Sequence, residues 1–392
     1  MNDYGRALCR RIMRGVIVGY ARSPFHRAHK GELADFRPED LAGQVAVAVI
    51  ERSGIDSAQV EDLMLGCAYP EGEQGLNIGR IATYMSGLPT SVPGATTNRL
   101  CGSSMQVIHD AAGAMAIGSG ELFLCGGVES MSRIKRGGWQ RSPHPGLEQS
   151  FPEAYIAMGL TAENLAASYD VSRDAQEEFA LHSHQKAANA RDSGRFDAEI
   201  SPVSNLEHTV SNDGCIRGET SLESMAGLLP AFKDDGTVTA ATSSPLTDGS
   251  AFTVVCTADY VAENSLNSLA AIESTAVAGV APEIMGIGPV PATEKALLRA
   301  ELTLDDIDVI ELNEAFSSQS LACLQELGLE ADDNRINIDG GAIAIGHPLG
   351  ASGARITGKA ATLLQRVGGD YALATMCIGG GMGIATILSR CD

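Results

Sequence analysis

The chain predicts an α/β protein built from two similar halves with an insertion between them. Short apolar runs that read as strands alternate with runs of helical period, and the same order of segments occurs twice. Between roughly Met131 and Lys233 that rhythm breaks: Pro143, Pro145 and Pro152 interrupt it, and it holds the only tryptophan, Trp139. Polar helical stretches such as Ser172 to Ala190 follow.

Taken in order, residues 1–15 read as a tail. Arg6, Arg10, Arg11 and Arg14 surround Leu8 and Cys9, with Asp3 nearby, which suits a disordered tail, an upstream start codon or a short targeting extension. The recognisable fold begins with the strand Val16-Ile17-Val18. Asp40 to Ile50 reads as an amphipathic helix stopped by Gly54, and Val60 to Cys67 as a strand. After the turn at Cys101, the spacing of Met105, Ile108, Ala112 and Met115 is helical, and the strand Glu121 to Cys125 ends in Gly126-Gly127. The second round has a helix over Thr293 to Ala300 and a strand within Leu304 to Asn313. A turn at His347, a helix over Ala354 to Val367 and a strand from Tyr371 to Met376 that runs into Cys377 complete it. The expected division is an N-terminal half at 16–130 completed by about 237–262, an inserted domain at 131–236, and a C-terminal half at 263–392.

A length of 392 residues exceeds the usual single domain, and 44% hydrophobic with 20% charged residues suits a soluble, well-cored protein. The net charge of −21 argues against nucleic acid or an anionic membrane as partner, and an anionic substrate needs a local cationic patch. No apolar run approaches the ~20 residues that span a bilayer. Nine irregularly spaced cysteines without a CxxC pair point away from a disulfide framework or zinc site and towards a reducing compartment, the cytoplasm.

Three segments carry the chemistry. In Asn98-Arg99-Leu100-Cys101-Gly102-Ser103-Ser104-Met105 a thiol sits at a helix N-terminus, where free N–H groups favour thiolate and can lower a thiol pKa from ~8.5 to within ~3.5–7.5. Cys101 reads equally as a small buried apolar residue, the reading that fits Cys67, Cys125, Cys256 and Cys323 in their apolar stretches. His347, between Gly346 and Pro348, is placed as a base at a strand's end, although the glycines before it also suit phosphate or tight packing. His182 and His184 lie in a polar helix and read as solvated. Cys377 precedes Gly379-Gly380-Gly381, whose N–H groups can face an oxyanion; the alternative is a core cysteine beside a packing turn. Asn313, before Glu314-Ala315-Phe316, can hold a water or cap a helix.

These segments, in this order, resemble the thiolase family over Val16 to Leu388. The resemblance rests on the Cys101 segment, Asn313 to Phe316, Gly340 to Gly353 and Cys377 to Gly383, and it is nearest to the bacterial thiolases of fatty-acid β-oxidation. It implies a thiolase-like fold: two βαβαβαββ halves in an α-β-α-β-α stack, with an inserted α/β loop domain that receives coenzyme A. It implies thiolytic cleavage of 3-ketoacyl-CoA, with Cys101 acylated, His347 as its base and Cys377 as acid and then base. Asn313 would hold a water beside His347 in one oxyanion site; the N–H groups of Cys101 and Gly379 would form the other. Coenzyme A would serve as co-substrate, with no prosthetic group or metal, and would meet Met158, Arg217, Ser224, Phe232, Ser244, Ala315 and Phe316. Pro245 stands where relatives have a small residue, and Leu229 where many carry arginine.

The resemblance also implies a homodimer or homotetramer, with a hydratase/dehydrogenase of β-oxidation as a possible partner. Ketoacyl synthases share the nucleophilic cysteine but need a second histidine in a His-Gly-Thr motif, which is missing here. An acetoacetyl-CoA thiolase of a biosynthetic pathway is the nearest alternative. A non-catalytic lipid- or CoA-binding relative is disfavoured by the joint presence of Cys101, His347, Asn313 and Cys377.

Overall fold

Alternate residues of the central strands enter different cores, which shows where the layers lie. In β1 (Gly15–Arg22) Val16 and Val18 face one core while Ile17 faces a second. This two-sided burial is what continuous apolar runs such as Val16-Ile17-Val18 specify. The computed structural model describes residues 15–135, 138–139 and 142–391; residues 1–14 of the expected tail lie outside them.

After β1 come β2 (His26–Arg27), α1 (Pro38–Ser53), β3 (Asp62–Gly66), α2 (Ile78–Met85), β4 (Gly94–Thr97), α3 (Ser103–Ala116) and β5 (Leu122–Ser130). The middle segment carries α4 (Pro145–Ser150), α5 (Met158–Ser168), α6 (Arg173–Asp192), the short ribbon β6 (Val203–Ser204) with β7 (Thr209–Val210), and α7 (Leu222–Ala226). Then β8 (Thr247–Thr257) returns to the first half, and α8 (Ala258–Asn264) leads out of it. The second half has β9 (Ala270–Gly279), α9 (Pro289–Ala300), β10 (Val309–Leu312), α10 (Ser317–Leu327), α11 (Ala342–Ile345), α12 (Leu349–Val367), β11 (Tyr371–Ile378) and β12 (Met382–Ser389).

The strand order is β10-β11-β12-β9-β1-β8-β5-β3-β4, with β2 on β8. Each half has the same mixture of parallel and antiparallel pairs, and the halves meet where β1 runs antiparallel to β9 at Val16–Ala271. The place of β4 is taken in the second half by one parallel bridge, Ile310 to Ile336. Helix α1 covers the outer face of the first half and α9 that of the second, while α3 and α12 lie between them.

Helix limits follow local chemistry. Gly54, at φ 70°, stops α1 and donates its N–H to Ile50, the left-handed cap that glycine permits. Helix α9 begins at Pro289, ahead of the expected Thr293, because proline is preset for the first helical turn. Helix α12 starts at Leu349, not Ala354, directly after Pro348. Strand β5 continues through its glycines to Ser130, since a Cβ on Gly126 would lie 2.2 Å from the Phe252 ring. Strand β10 is shorter than expected because Thr303 and Asp306 cap a turn at Leu304–Asp306.

Helix α12 is buried even at two of its three cations, Arg355 and Lys359. Arg355 pairs with Glu311 at 2.9 Å, and Lys359 with both Glu199 and Asp339 at 2.8 Å. Arg22 joins Glu199 at 2.9 Å and Asp213 at 2.7 Å, so the middle segment is tied to both halves by paired buried charge.

Candidate active site

Cys101 lies in a turn, Leu100–Gly102, that feeds α3, and it packs half-buried against the core between the halves. Gly102 is required there, because a Cβ would sit 2.5 Å from Ile378 of β11. Leu100 takes a positive φ of 46°. Its N–H donates to Asn98 Oδ1 at 2.8 Å, and its carbonyl accepts from the Ser103 hydroxyl at 2.6 Å.

The His347 turn is built in the same way before α12. Gly346 has φ 112° and presses on Thr247, whose hydroxyl accepts the His347 N–H at 3.0 Å. His347 is buried, and its Nδ1 lies 2.5 Å from Ser352 Oγ. The same hydroxyl lies 3.2 Å from the Pro348 carbonyl; when it donates there, its oxygen accepts from Nδ1–H. That tautomer carries its lone pair on Nε2, the arrangement a base needs.

The N-terminal ends of α3 and α12 abut. Ala354 N–H donates to Ser104 Oγ at 2.8 Å, and a Cβ on Gly353 would lie 2.3 Å from the Met105 nitrogen. Small residues at this crossing therefore bring the cysteine turn and the histidine turn onto one side of the molecule.

Glu129, at the end of β5, locks this junction. One carboxylate oxygen accepts from Gly350 N–H at 2.9 Å and Ala68 N–H at 2.8 Å; the other accepts from Gln74 Nε2 at 2.7 Å and Tyr69 N–H at 3.3 Å. Burial raises its pKa, and the donors oppose that rise. Only an acidic residue at the end of an apolar strand hinted at it in the sequence. Glu129→Gln must turn an NH2 towards two donors, so we expect a stability loss of about 1–3 kcal/mol and turnover lowered by about tenfold. Denaturant unfolding and steady-state kinetics check this; an unchanged midpoint and turnover remove the lock.

Cys377 is the penultimate residue of β11 and is buried. Burial, and secondarily charge on Cys101, push its thiol well above the ordinary range. It therefore carries its proton at neutral pH. Cys377 shares a small core with Ala162, Val238, Met285, Ala315, Phe316 and Met158. A Cβ on Gly379 would lie 3.3 Å from Leu100 Cδ1 and 3.4 Å from Met158 Sδ, so Gly379 stands between the Cys101 turn and Met158. Gly380 and Gly381, at φ 80° and 85°, supply the turn that follows.

Asn313 ends up fully buried beside β11, its N–H bonded to Thr375 at 3.0 Å. Neither Oδ1 nor Nδ2 has a hydrogen-bond partner among the described residues. It is not a cap: Phe316 holds that position on α10. Its neighbour Glu314 accepts from Ser183 Oγ at 2.6 Å and Asn337 Nδ2 at 2.7 Å.

Several residues expected to meet coenzyme A are gathered here. Ser244 donates its N–H to the Ala315 carbonyl at 3.0 Å and its hydroxyl at 3.1 Å. Phe316 meets Phe232 edge-to-face at 5.8 Å, and Phe232 rests on Gly159, next to Met158. Arg217 and Ser224 lie apart on an exposed segment: Arg217 N–H donates to His184, and Ser224 forms a capping box with Ser221. No hydrogen bond, ion pair or ring contact among the described residues joins them to the Cys377 group.

The expectation for His184 fails. His184 is buried, not solvated, because α6 turns that face inward; burial first and Arg217 second push it down to about 4. His182, one turn face away, is exposed. Cys67, Cys125, Cys256 and Cys323 are core residues, as expected.

Family models for the thiolase N-terminal and C-terminal domains match residues 15–259 and 266–390. The chain is 44% identical over 385 residues to a 3-ketoacyl-CoA thiolase of Saccharophagus degradans, covering 96% of this chain and 98% of the relative. It is 45% identical over 383 residues to a 3-ketoacyl-CoA thiolase of Aliivibrio fischeri, covering 96% and 99%. Human mitochondrial 3-ketoacyl-CoA thiolase, solved in complex with CoA, matches with a TM-score of 0.88 at 37% identity, covering 97% of this chain and 99% of that one. The acetyl-CoA acetyltransferase of Bacillus anthracis matches with a TM-score of 0.88 at 38% identity, with the same coverage.

Proposed function

This chain belongs to the thiolase family, and from that premise we propose that it cleaves 3-ketoacyl-CoA with CoA to acetyl-CoA and a shortened acyl-CoA. The observation that carries the site assignment is the convergence of the Cys101 turn, the His347 turn and the end of β11 on the abutting ends of α3 and α12.

His347 Nε2 takes the Cys101 proton, and the sulfur attacks the 3-keto carbon. The oxygen that becomes an alkoxide faces the N–H groups of Cys101 and Gly379. When the alkoxide collapses, the C2–C3 bond breaks and its electrons pass into an enolate of acetyl-CoA. The enolate oxygen is met by His347 and by a water held on the otherwise unpartnered Asn313 amide. The Cys377 thiol protonates C2, and acetyl-CoA leaves. The Cys377 thiolate then takes the proton of an incoming CoA thiol, whose sulfur displaces the acyl group from Cys101, and the freed Cys101 thiolate recovers its proton from His347. The steps balance with acyl and proton transfer alone.

Coenzyme A lies along Met158, Phe232, Ser244, Ala315 and Phe316, with Arg217 and Ser224 reaching its nucleotide end; residues 131–236 form the domain that carries it. The enzyme works in the cytoplasm as a homodimer or homotetramer, with a hydratase/dehydrogenase as its β-oxidation partner. No helix among the described residues is long and apolar enough to cross a membrane.

A second reading, acetoacetyl-CoA thiolase of a biosynthetic pathway, is favoured by the equal likeness to the Bacillus anthracis acetyltransferase. Turnover of a chain-length series by loss of thioester enolate absorbance separates the two. We expect better cleavage of medium and long 3-ketoacyl-CoA than of acetoacetyl-CoA. Activity confined to acetoacetyl-CoA selects the second reading, and no cleavage by folded protein overturns both.

A further inference from the structure

The proposed oxyanion donor Cys101 N–H belongs to the same peptide plane as the Leu100 carbonyl. In a trans peptide the two groups point in opposite directions, so whatever fixes one aims the other. The Leu100 carbonyl oxygen accepts from the Ser103 N–H and, at 2.6 Å, from Ser103 Oγ. Ser103 Oγ in turn accepts from the Arg99 N–H at 3.0 Å, so the hydroxyl is bonded on both sides and is fully buried.

The preceding peptide is fixed from the other end. Asn98 Oδ1 accepts the Leu100 N–H at 2.8 Å, and Asn98 Nδ2 donates to the Ala68 carbonyl at 3.1 Å. Ala68 is itself anchored, through its N–H, to Glu129. Between these two clamps Leu100 has φ 46°, a region that a branched side chain avoids unless its surroundings impose it. Without the clamps, the backbone would relax towards negative φ and swing the Cys101 N–H away. The Leu100 side chain also lies against the position of Gly379, so the two proposed donors share one neighbour.

We propose that Asn98 and Ser103 are positioning residues that hold the Leu100 peptide in its left-handed conformation and so aim the Cys101 N–H at the developing alkoxide. This rests on the assignment of Cys101 as the acylated nucleophile. It adds the prediction that loss of either clamp impairs oxyanion stabilisation while leaving thiolate formation intact.

The two effects separate by experiment. Alkylation of Cys101 by iodoacetamide needs the thiolate but no oxyanion donor, whereas acylation by acetoacetyl-CoA needs both. In Asn98→Ala and Ser103→Ala we expect single-turnover acylation to slow by about 10–100-fold, within what loss of one such donor costs. The pH profile of alkylation should stay in place. Asn98→Asp keeps the acceptor for the Leu100 N–H but loses the donor to Ala68, so it should acylate more slowly than the parent and clearly faster than Asn98→Ala. Acylation at the parent rate in the alanine variants overturns the proposal. So does alkylation falling in step with acylation, or Asn98→Asp losing as much as Asn98→Ala. If Ser103→Ala does not fold, the two Asn98 variants decide alone. Mass spectrometry of the parent protein stands apart: absence of an acyl group on Cys101 sinks the assignment of the nucleophile and this inference with it.

Discussion

Cys101→Ser is expected to abolish thiolysis, with turnover lowered by about 10³-fold or more, in a protein that remains folded. The fold should survive because Cys101 is half-buried and the swap removes little packing at the edge of the core between the halves. Chemistry suffers because a serine hydroxyl is a far weaker acid than a thiol, and an imidazole cannot supply enough alkoxide near neutral pH. The helix N-terminus that favours a thiolate does not close that gap. Incubation with acetoacetyl-CoA followed by mass spectrometry should show an acyl group on the parent and none at position 101 of the variant. Thiolysis at anything near the parent rate assigns the nucleophile elsewhere and removes the central step of the mechanism.

Much of this site was legible in the sequence because its chemistry is local. A cysteine or histidine at a glycine-rich turn before a helical run announces both the side chain and its place at a helix N-terminus, and both turns are found there. The duplication was legible for a similar reason: strands buried on both faces write themselves as apolar runs, and the runs recur in order. What stayed hidden depends on contacts across the chain. Glu129 is 221 residues from Gly350, and nothing near it in sequence shows that it meets the first turn of α12. His184 shares its helix with exposed polar neighbours, and only tertiary packing, in which it accepts the Arg217 N–H, separates it from His182. The fifth strand of the second half shrinks to a bridge at Ile336, a matter of sheet-edge pairing that periodicity does not encode. The charges of Arg355 and Lys359 likewise conceal how deeply most of α12 is buried, because their partners Glu311, Glu199 and Asp339 are distant in sequence.

Cys377→Ala should separate the two half-reactions that Cys101→Ser removes together. Burial first, and charge on Cys101 second, hold the Cys377 thiol well above its ordinary range. The folded enzyme therefore keeps the acid form past the ~8.5 at which a free thiol ionises. An acid is needed when the C2–C3 bond breaks, since the enolate otherwise has no proton to take at C2, and its loss should lower cleavage by about 10²–10⁴-fold. Acetylation of Cys101 by acetyl-CoA makes a smaller demand, because CoA leaves as a stable thiolate without a proton from Cys377. The variant should thus still form acetyl-Cys101 by mass spectrometry while failing to cleave acetoacetyl-CoA. The same shift has a consequence for stability. A thiol whose pKa is raised by folding contributes fully below its ordinary pKa, where it is protonated in both states, and that contribution is lost as pH rises from there towards the elevated value. Alanine has no proton to lose, so unfolding of the variant should depend less steeply on pH above that range. If Cys377→Ala cleaves at the parent rate, another group supplies the proton, and the burial of this thiol serves packing alone.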